Sequence, residues 1–228
     1  MAARASIRVS IAWSGADAIE DTDTLVMTID GYSLDLRVFV SGPDTGSIDW
    51  STVAHVSEIE GSTKENPILK WDHIIDSRPE TDLPDQGSFA TLPNGDVTEI
   101  GTMFNPKTND YEPYVETWRR LQLPTSAPYL VLQRDESEQV DGPKVQAFLG
   151  RVGEHALGLA KTSDGSFLAW RDRVEDGQWK RVYQFGSNTE MLKEWLPSLP
   201  IDTSEEWSKG NTVQLGSGKW EVKTVGSL

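Results

Sequence analysis

The chain contains no cysteine. Disulfides, thiolate nucleophiles, zinc–thiolate sites and iron–sulfur clusters are therefore excluded. Long hydrophobic runs are missing too. No window approaches the ~18 apolar residues of a membrane-spanning helix, and apolar residues make up only 37% of the chain. Basic charge is scarce: 21 Lys and Arg stand against 36 Asp and Glu, so the 228 residues carry a net charge of −15. Such a surface repels phosphate backbones and anionic lipid, which argues against nucleic acid and membrane partners. The sequence has no Gly-rich phosphate loop, no HExxH and no serine elbow, and so no cofactor, metal or triad chemistry is expected from motifs. The N-terminal MAARASIRVSIAW interleaves its apolar residues with Arg and Ser, unlike a signal peptide. With the lack of cysteine, the expected location is the cytoplasm.

What is present is alternation and tryptophan. From Asp30 to Trp50 the chain reads DGYSLDLRVFVSGPDTGSIDW. A tight-turn Asp-Gly leads into a strand with Tyr32, Leu34, Leu36, Val38 and Val40 on one face and Ser33, Asp35, Arg37 and Phe39 on the other. The rest repeats this unit: strands at 6–13, 24–29, 50–59, 68–75, 89–92, 97–104, 129–133, 145–152, 155–162, 167–174, 179–185, 212–215 and 220–225. Turns of Asn-Gly or Asp-Gly type separate many of them. Two short helices are predicted. One lies within 105–124, where Tyr111, Tyr114, Val115, Trp118 and Leu121 recur at spacings of 3 and 4. The other runs from Asn188 to Leu199, with an Asn cap and a Pro stop.

The fold class expected is all-β: two lipocalin-like antiparallel β-barrel halves with one or two short helices, one domain at 1–124 and the other at 125–228. Meander connectivity favours barrels, which remove exposed edges by closing. A single large sandwich is the alternative. Nine Trp favour several small aromatic-filled cores over one wide core.

Asp30 to Trp50, Glu116 to Trp118 following Thr98 to Gly101, and Lys219 to Val222 resemble the fungal Hri family in the same order. That resemblance implies two lipocalin-like barrels, a homodimer and a role through protein contacts; it brings no catalytic motif. The chain is also similar to the cofactor-free hetero-Diels–Alderases of fungal tropolone-sesquiterpene clusters. This implies a pericyclase joining a tropolone quinone methide to a humulene-type alkene.

The residues left to carry such chemistry are aromatic and polar. Trp50, Trp71, Trp118 and Arg37 are the expected contacts to an apolar or aromatic small molecule. His73, Tyr114 and Arg119 are the expected catalytic donors. His73 shares a strand face with Leu69, Trp71 and Ile75. Arg37 is either outward and solvated or inward in a polar lumen. Arg171 and Arg173 read as cross-strand surface charges. Packed Trp cores would instead suit a non-catalytic adaptor, and a hollow barrel without donors a simple carrier.

Overall fold

The structure is a computed structural model and describes residues 2–79, 82–135, 144–186, 193–202 and 207–228. The all-β expectation holds. Eight strands close into an antiparallel up-and-down barrel: β1 (Arg4–Trp13), β2 (Thr22–Ile29), β3 (Tyr32–Phe39), β4 (Ile48–Glu58), β5 (Ile68–Asp76), β6 (Asp85–Thr91), β7 (Val97–Asn105) and β8 (Asp110–Arg120). Seven more follow: β9 (Pro128–Asp135), β10 (Val145–Val152), β11 (His155–Thr162), β12 (Phe167–Glu175), β13 (Gln178–Phe185), β14 (Thr212–Leu215) and β15 (Gly218–Ser227). They form one antiparallel sheet in the order β13-β12-β11-β10-β9-β15-β14. No helix among the described residues is long and apolar enough to cross a membrane.

The turns behave as their residues require. Asp30 and Gly31 both take positive φ (47° and 84°), as do Asp176 and Gly177 (52° and 72°). That backbone twist matches the flanking strands of a two-residue hairpin.

The helix expected within 105–124 is overturned: these residues supply β8 and the turn before it. Tyr114, Glu116 and Trp118 are all buried, so the true period is two. Glu116 hides it, because a charged side chain at the middle of the buried face breaks the apolar alternation and leaves the helical spacing as the stronger signal. Of the second predicted helix, residues 193–195 are helical; its start at 188–192 lies outside the described residues.

The position of the apolar core is the less expected feature. Leu34, Leu36 and Val38 point out of the barrel, together with Leu25, Met27 and Ile29 of β2. They share one core with Val131, Phe148, Leu157, Leu159 and Ala169 of the second sheet. Ser33, Asp35 and Arg37 point into the lumen and are also buried. Both faces of β3 are therefore covered, one by protein packing and one by the barrel wall.

Gly150 permits the close approach of the two halves, since a Cβ there would lie 2.8 Å from Leu34 Cδ2. The other face of the second sheet packs a separate core. Trp170, Trp220, Leu132 and Leu149 meet Trp195, Leu196 and Leu199 there, and Trp170 Nε1 donates to the Leu196 carbonyl at 2.8 Å. Arg171, read above as a surface charge, is nearly buried and donates to Asp23 of the barrel at 2.7 Å.

Three bulges set which residues enter the lumen. Val9 is extra between Arg8 and Ser10, Asp49 between Ile48 and Trp50, and Ile74 between His73 and Ile75. An extra residue shifts every later side chain to the opposite face. Ile75 thus joins the outer core, whereas Leu69 and Trp71 line the lumen. The expectation that Ile75 and His73 share a face is corrected by this bulge. Beyond Val9 the inward residues of β1 change from Arg8 to Ile11 and Trp13.

The shared core makes a direct prediction. Leu34→Ala, at a fully buried site between the two halves, lowers unfolding free energy by about 2–5 kcal/mol in urea titration. A loss well under about 1 kcal/mol would show that the halves do not depend on this contact.

Candidate functional site

The lumen is built from alternating polar and aromatic positions on β1, β3, β4, β7 and β8. It holds a cavity of about 330 Å³ lined by Asp35, Arg37, Trp50, Trp71, Glu99 and Trp118, among others. Two further cavities, of about 450 and 380 Å³, lie beside it, and Trp50 and Met103 line all three. Small-molecule sites commonly span about 300–1,000 Å³, and an eight-stranded barrel is just wide enough to hold one small ligand.

Arg37 is at the centre. Its Nε donates to Asp35 Oδ2 at 2.9 Å, its Nη2 lies 2.8 Å from the same oxygen, and its Nη1 donates to Glu116 Oε1 at 3.0 Å. Its guanidinium carbon lies 4.9 Å from the ring centre of Trp50 and 5.6 Å from that of Trp118. Cation–π attraction therefore adds to the ion pairs. Arg8 shares Glu116 Oε1 at 2.7 Å and reaches Glu20 at 2.8 Å. Burial opposes the charge on Arg37, but Asp35 and Glu116 outweigh it and hold the guanidinium well above its ordinary pKa. Burial also pushes the Asp35 carboxyl up, against the pull of Arg37.

Glu99 is different. It makes no ion pair among the described residues. Its Oε1 accepts from the Tyr114 hydroxyl at 2.7 Å and its Oε2 from Trp118 Nε1 at 2.9 Å. Burial, then the nearby Glu116 charge, pushes it up to about 8, which favours the protonated acid. The Tyr114 hydroxyl is raised as well, by burial and then by Glu99, and stays protonated.

The structure brings five of the seven expected site residues to one cavity: Arg37, Trp50, Trp71, Tyr114 and Trp118. His73 lies in the neighbouring cavity. Its Nδ1 is 2.7 Å from Asp76 and its Nε2 2.9 Å from Asp85. Burial opposes its charge, yet these two carboxylates raise its pKa to about 9. It is an imidazolium clamped between strands, with both nitrogens engaged. Arg119 is not brought in. It stands on the outer face of β8 and forks onto Asp96, at 2.9 and 2.8 Å, because residues 118 and 120 take the inward positions.

Sequence reasoning missed Arg8, Asp35, Glu99 and Glu116. A signal for three of them was present, because the stretches that carry the family resemblance contain them. Asp30 to Trp50 supplies Asp35, Arg37 and Trp50; Thr98 to Gly101 supplies Glu99; Glu116 to Trp118 supplies both its end residues.

A closed antiparallel barrel with a polar, tryptophan-walled lumen and a second sheet packed on its outside defines a β-barrel protein with a ligand-sized interior. The family model for Protein HRI1 matches residues 4–224, and the chain belongs to that family. No curated protein and no solved structure matches it.

Two outcomes test this geometry. Arg37→Ala strands the buried Asp35 carboxyl and leaves Glu116 to Arg8 alone, and costs about 3–5 kcal/mol of stability by chemical denaturation, whereas the exposed Arg119→Ala leaves the midpoint unchanged. Equal effects would mean the lumen cluster is not the buried network described. The His73 clamp is pH-dependent with a definite sign. Because the folded pKa exceeds the unfolded 6.5, its stabilisation is complete below pH 6.5 and is lost as pH rises through about 9. Thermal melts across that window should fall more steeply for the native chain than for His73→Gln; parallel curves would exclude the clamp.

Proposed function

We propose that the barrel lumen is a small-molecule site and that the chain is a cofactor-free cyclase of fungal secondary metabolism. The reaction is the hetero-Diels–Alder addition of a tropolone quinone methide to a humulene-type alkene. Residues 1–124 form the ligand-holding domain and 125–228 the supporting one. The observation that carries the reading is Glu99, a buried carboxyl bonded only by Tyr114 and Trp118 among the described residues, on the wall of a ligand-sized cavity that Trp71 also lines.

The chemistry asks for little more. The exocyclic methylene carbon of the quinone methide bonds one alkene carbon and its carbonyl oxygen bonds the other. Six π electrons shift around the forming ring, and no proton, oxidant or metal is consumed. Aromatic walls would hold the two reactants in near-attack geometry. A donor on the carbonyl oxygen would stabilise the charge that develops there. Tyr114, expected as a direct donor, and Trp118, expected as a contact to the ligand, already donate to Glu99. They act here by positioning the Glu99 carboxyl, which becomes the donor. His73 and Arg37 set the electrostatics of the cavity through their carboxylate partners.

The same reading places the chain in the cytoplasm as a homodimer. The end strands β13 and β14, each paired on one side only among the described residues, are surfaces through which two copies can join.

Incubation of the protein with a quinone-methide precursor and humulene should raise the rate and stereoselectivity of adduct formation over buffer. Glu99→Ala should lower the rate by about 10²–10³-fold, the loss typical of one oxyanion donor. Adduct formation identical to buffer rules out this substrate pair.

A further inference from the structure

Acidic residues outnumber basic ones in this chain by 36 to 21, yet two arginines at one mouth of the barrel have no acid. Arg4 opens β1 and Arg120 closes β8, and both line the 330 Å³ cavity. Neither makes a hydrogen bond or an ion pair among the described residues. The other arginines on the three cavities, Arg8, Arg37 and Arg78, are each paired with a carboxylate. Burial, then the Arg120 charge, lowers the Arg4 guanidinium to about 10, so the two cations repel with nothing between them to relieve it.

Three hydroxyls share this patch of wall. Arg4 stands in register opposite Thr28 and Thr28 opposite Ser33, while Ser6 stands opposite Arg120. Directly opposed residues have Cβ atoms about 4.5–5.5 Å apart, so the five side chains are neighbours. Ser6, Thr28 and Ser33 are only 9%, 5% and 2% exposed, and all three line the cavity. Their hydroxyls make no hydrogen bond among the described residues and, unlike Asp35 Oδ1, are not sealed from the cavity. Buried polar groups are normally satisfied, and a cluster of donors beside two unpaired guanidiniums calls for an anion. Next inward, Trp118 stands opposite Val97, with Leu69 and Phe89 on the same cavity. Deeper still lie Asp35, Glu99 and Glu116, which repel negative charge. Glu58, Lys64 and Glu65 belong to the far, β4–β5 side of the mouth.

We propose that the β1–β8 mouth is a carboxylate site and that the lumen takes a monocarboxylic acid with an apolar body, its head group held by Arg4 and Arg120 and accepting from the Ser6 and Thr28 hydroxyls. This rests on the reading of the lumen as a small-molecule site, not on the cycloaddition. The deeper acids fix the direction of entry: the head group stays at the mouth and the apolar body lies against Trp118, Leu69 and Phe89. A guanidinium fork fits carboxylate and phosphate alike, but the second charge of a phosphate meets more repulsion from those acids.

The test is titration calorimetry of the whole chain at pH 7 and low ionic strength with octanoate, 1-octanol and octyl phosphate. Octanoate should bind about tenfold more tightly than octanol, a modest return for charge-assisted bonds at a half-open site. That preference should shrink in about 1 M NaCl, where the screening length is about 3 Å. Octyl phosphate should bind no more tightly than octanoate. Arg4→Gln and Arg120→Gln should each remove most of the preference and leave octanol binding unchanged. Arg119→Gln, the same change of charge on the outer face of β8, should alter none of the three. The comparison of octanoate with octanol in the native chain needs no variant, so a misfolded variant does not spoil it. If octanol binds as tightly as octanoate, the lumen is a ligand site but the carboxylate site is wrong. Tighter binding of octyl phosphate overturns the choice of carboxylate, and an equal loss in Arg119→Gln reduces the effect to overall charge. If none of the three binds, the small-molecule reading of the lumen fails and this inference fails with it.

Discussion

The barrel depends on the ion cluster around Arg37. Two arginines and three carboxylates, Arg8, Arg37, Asp35, Glu116 and Glu20, meet across β1, β3, β8 and the residues just before β2. Such clusters are poor sources of net stability, because the cost of removing charges from water cancels most of the attraction. What they provide is geometry. An interior of packed Leu and Ile would collapse on itself, whereas paired charges tie opposite walls together and keep polar space between them. Trp50 and Trp118 close over the guanidinium and limit the water that would weaken it.

A polar lumen has a consequence for the rest of the chain. A barrel that spends its inner face on charge must bury apolar surface elsewhere, and here it does so on the outside of β2 and β3. The second sheet supplies the matching surface through Phe148, Leu157 and Leu159. It also carries its own Trp-filled core on its far face, which makes it a stiff support. Polar contacts seal the margin: Arg171 and Tyr183 reach Asp23, and Lys161 reaches the Asp76 carbonyl. The last of these touches the strand that bears the His73 clamp, so the second sheet steadies one wall of the cavities as well as the barrel's back.

Carboxyl groups within the lumen show how environment divides one chemistry into several roles. Glu116 bridges two arginines and is a structural anion. Asp35 holds one arginine with a single oxygen and leaves the other bare. Glu99 has only neutral donors bonded to it among the described residues, and burial favours its protonated form. Asp76 and Asp85 hold an imidazolium at the neighbouring cavity. None of these differences is visible in residue type; each follows from which cations the barrel closure brings within 3 Å.

Much of the fold was legible in the chain itself. Fourteen of the fifteen strands follow from alternation and turn residues, since period two and positive-φ dipeptides such as Asp30-Gly31 are local properties. The exclusions that come from having no cysteine and little basic charge are equally local. The β8 strand was not legible, because Glu116 sits where an apolar residue was expected, and the outward placement of Ile75 at the end of β5 was not, because a bulge at Ile74 has no local signature. Five site residues were found from their aromatic or basic character, while Asp35, Glu99 and Glu116 carry nothing in residue type that sets them apart from the chain's other acids. Only tertiary structure decided which face of the Tyr32–Phe39 strand is lumen and which is core. Alternation states that the two faces differ, but when a closed wall covers one and a second sheet covers the other, both are buried, and the polar face becomes the site only once the barrel has closed around it.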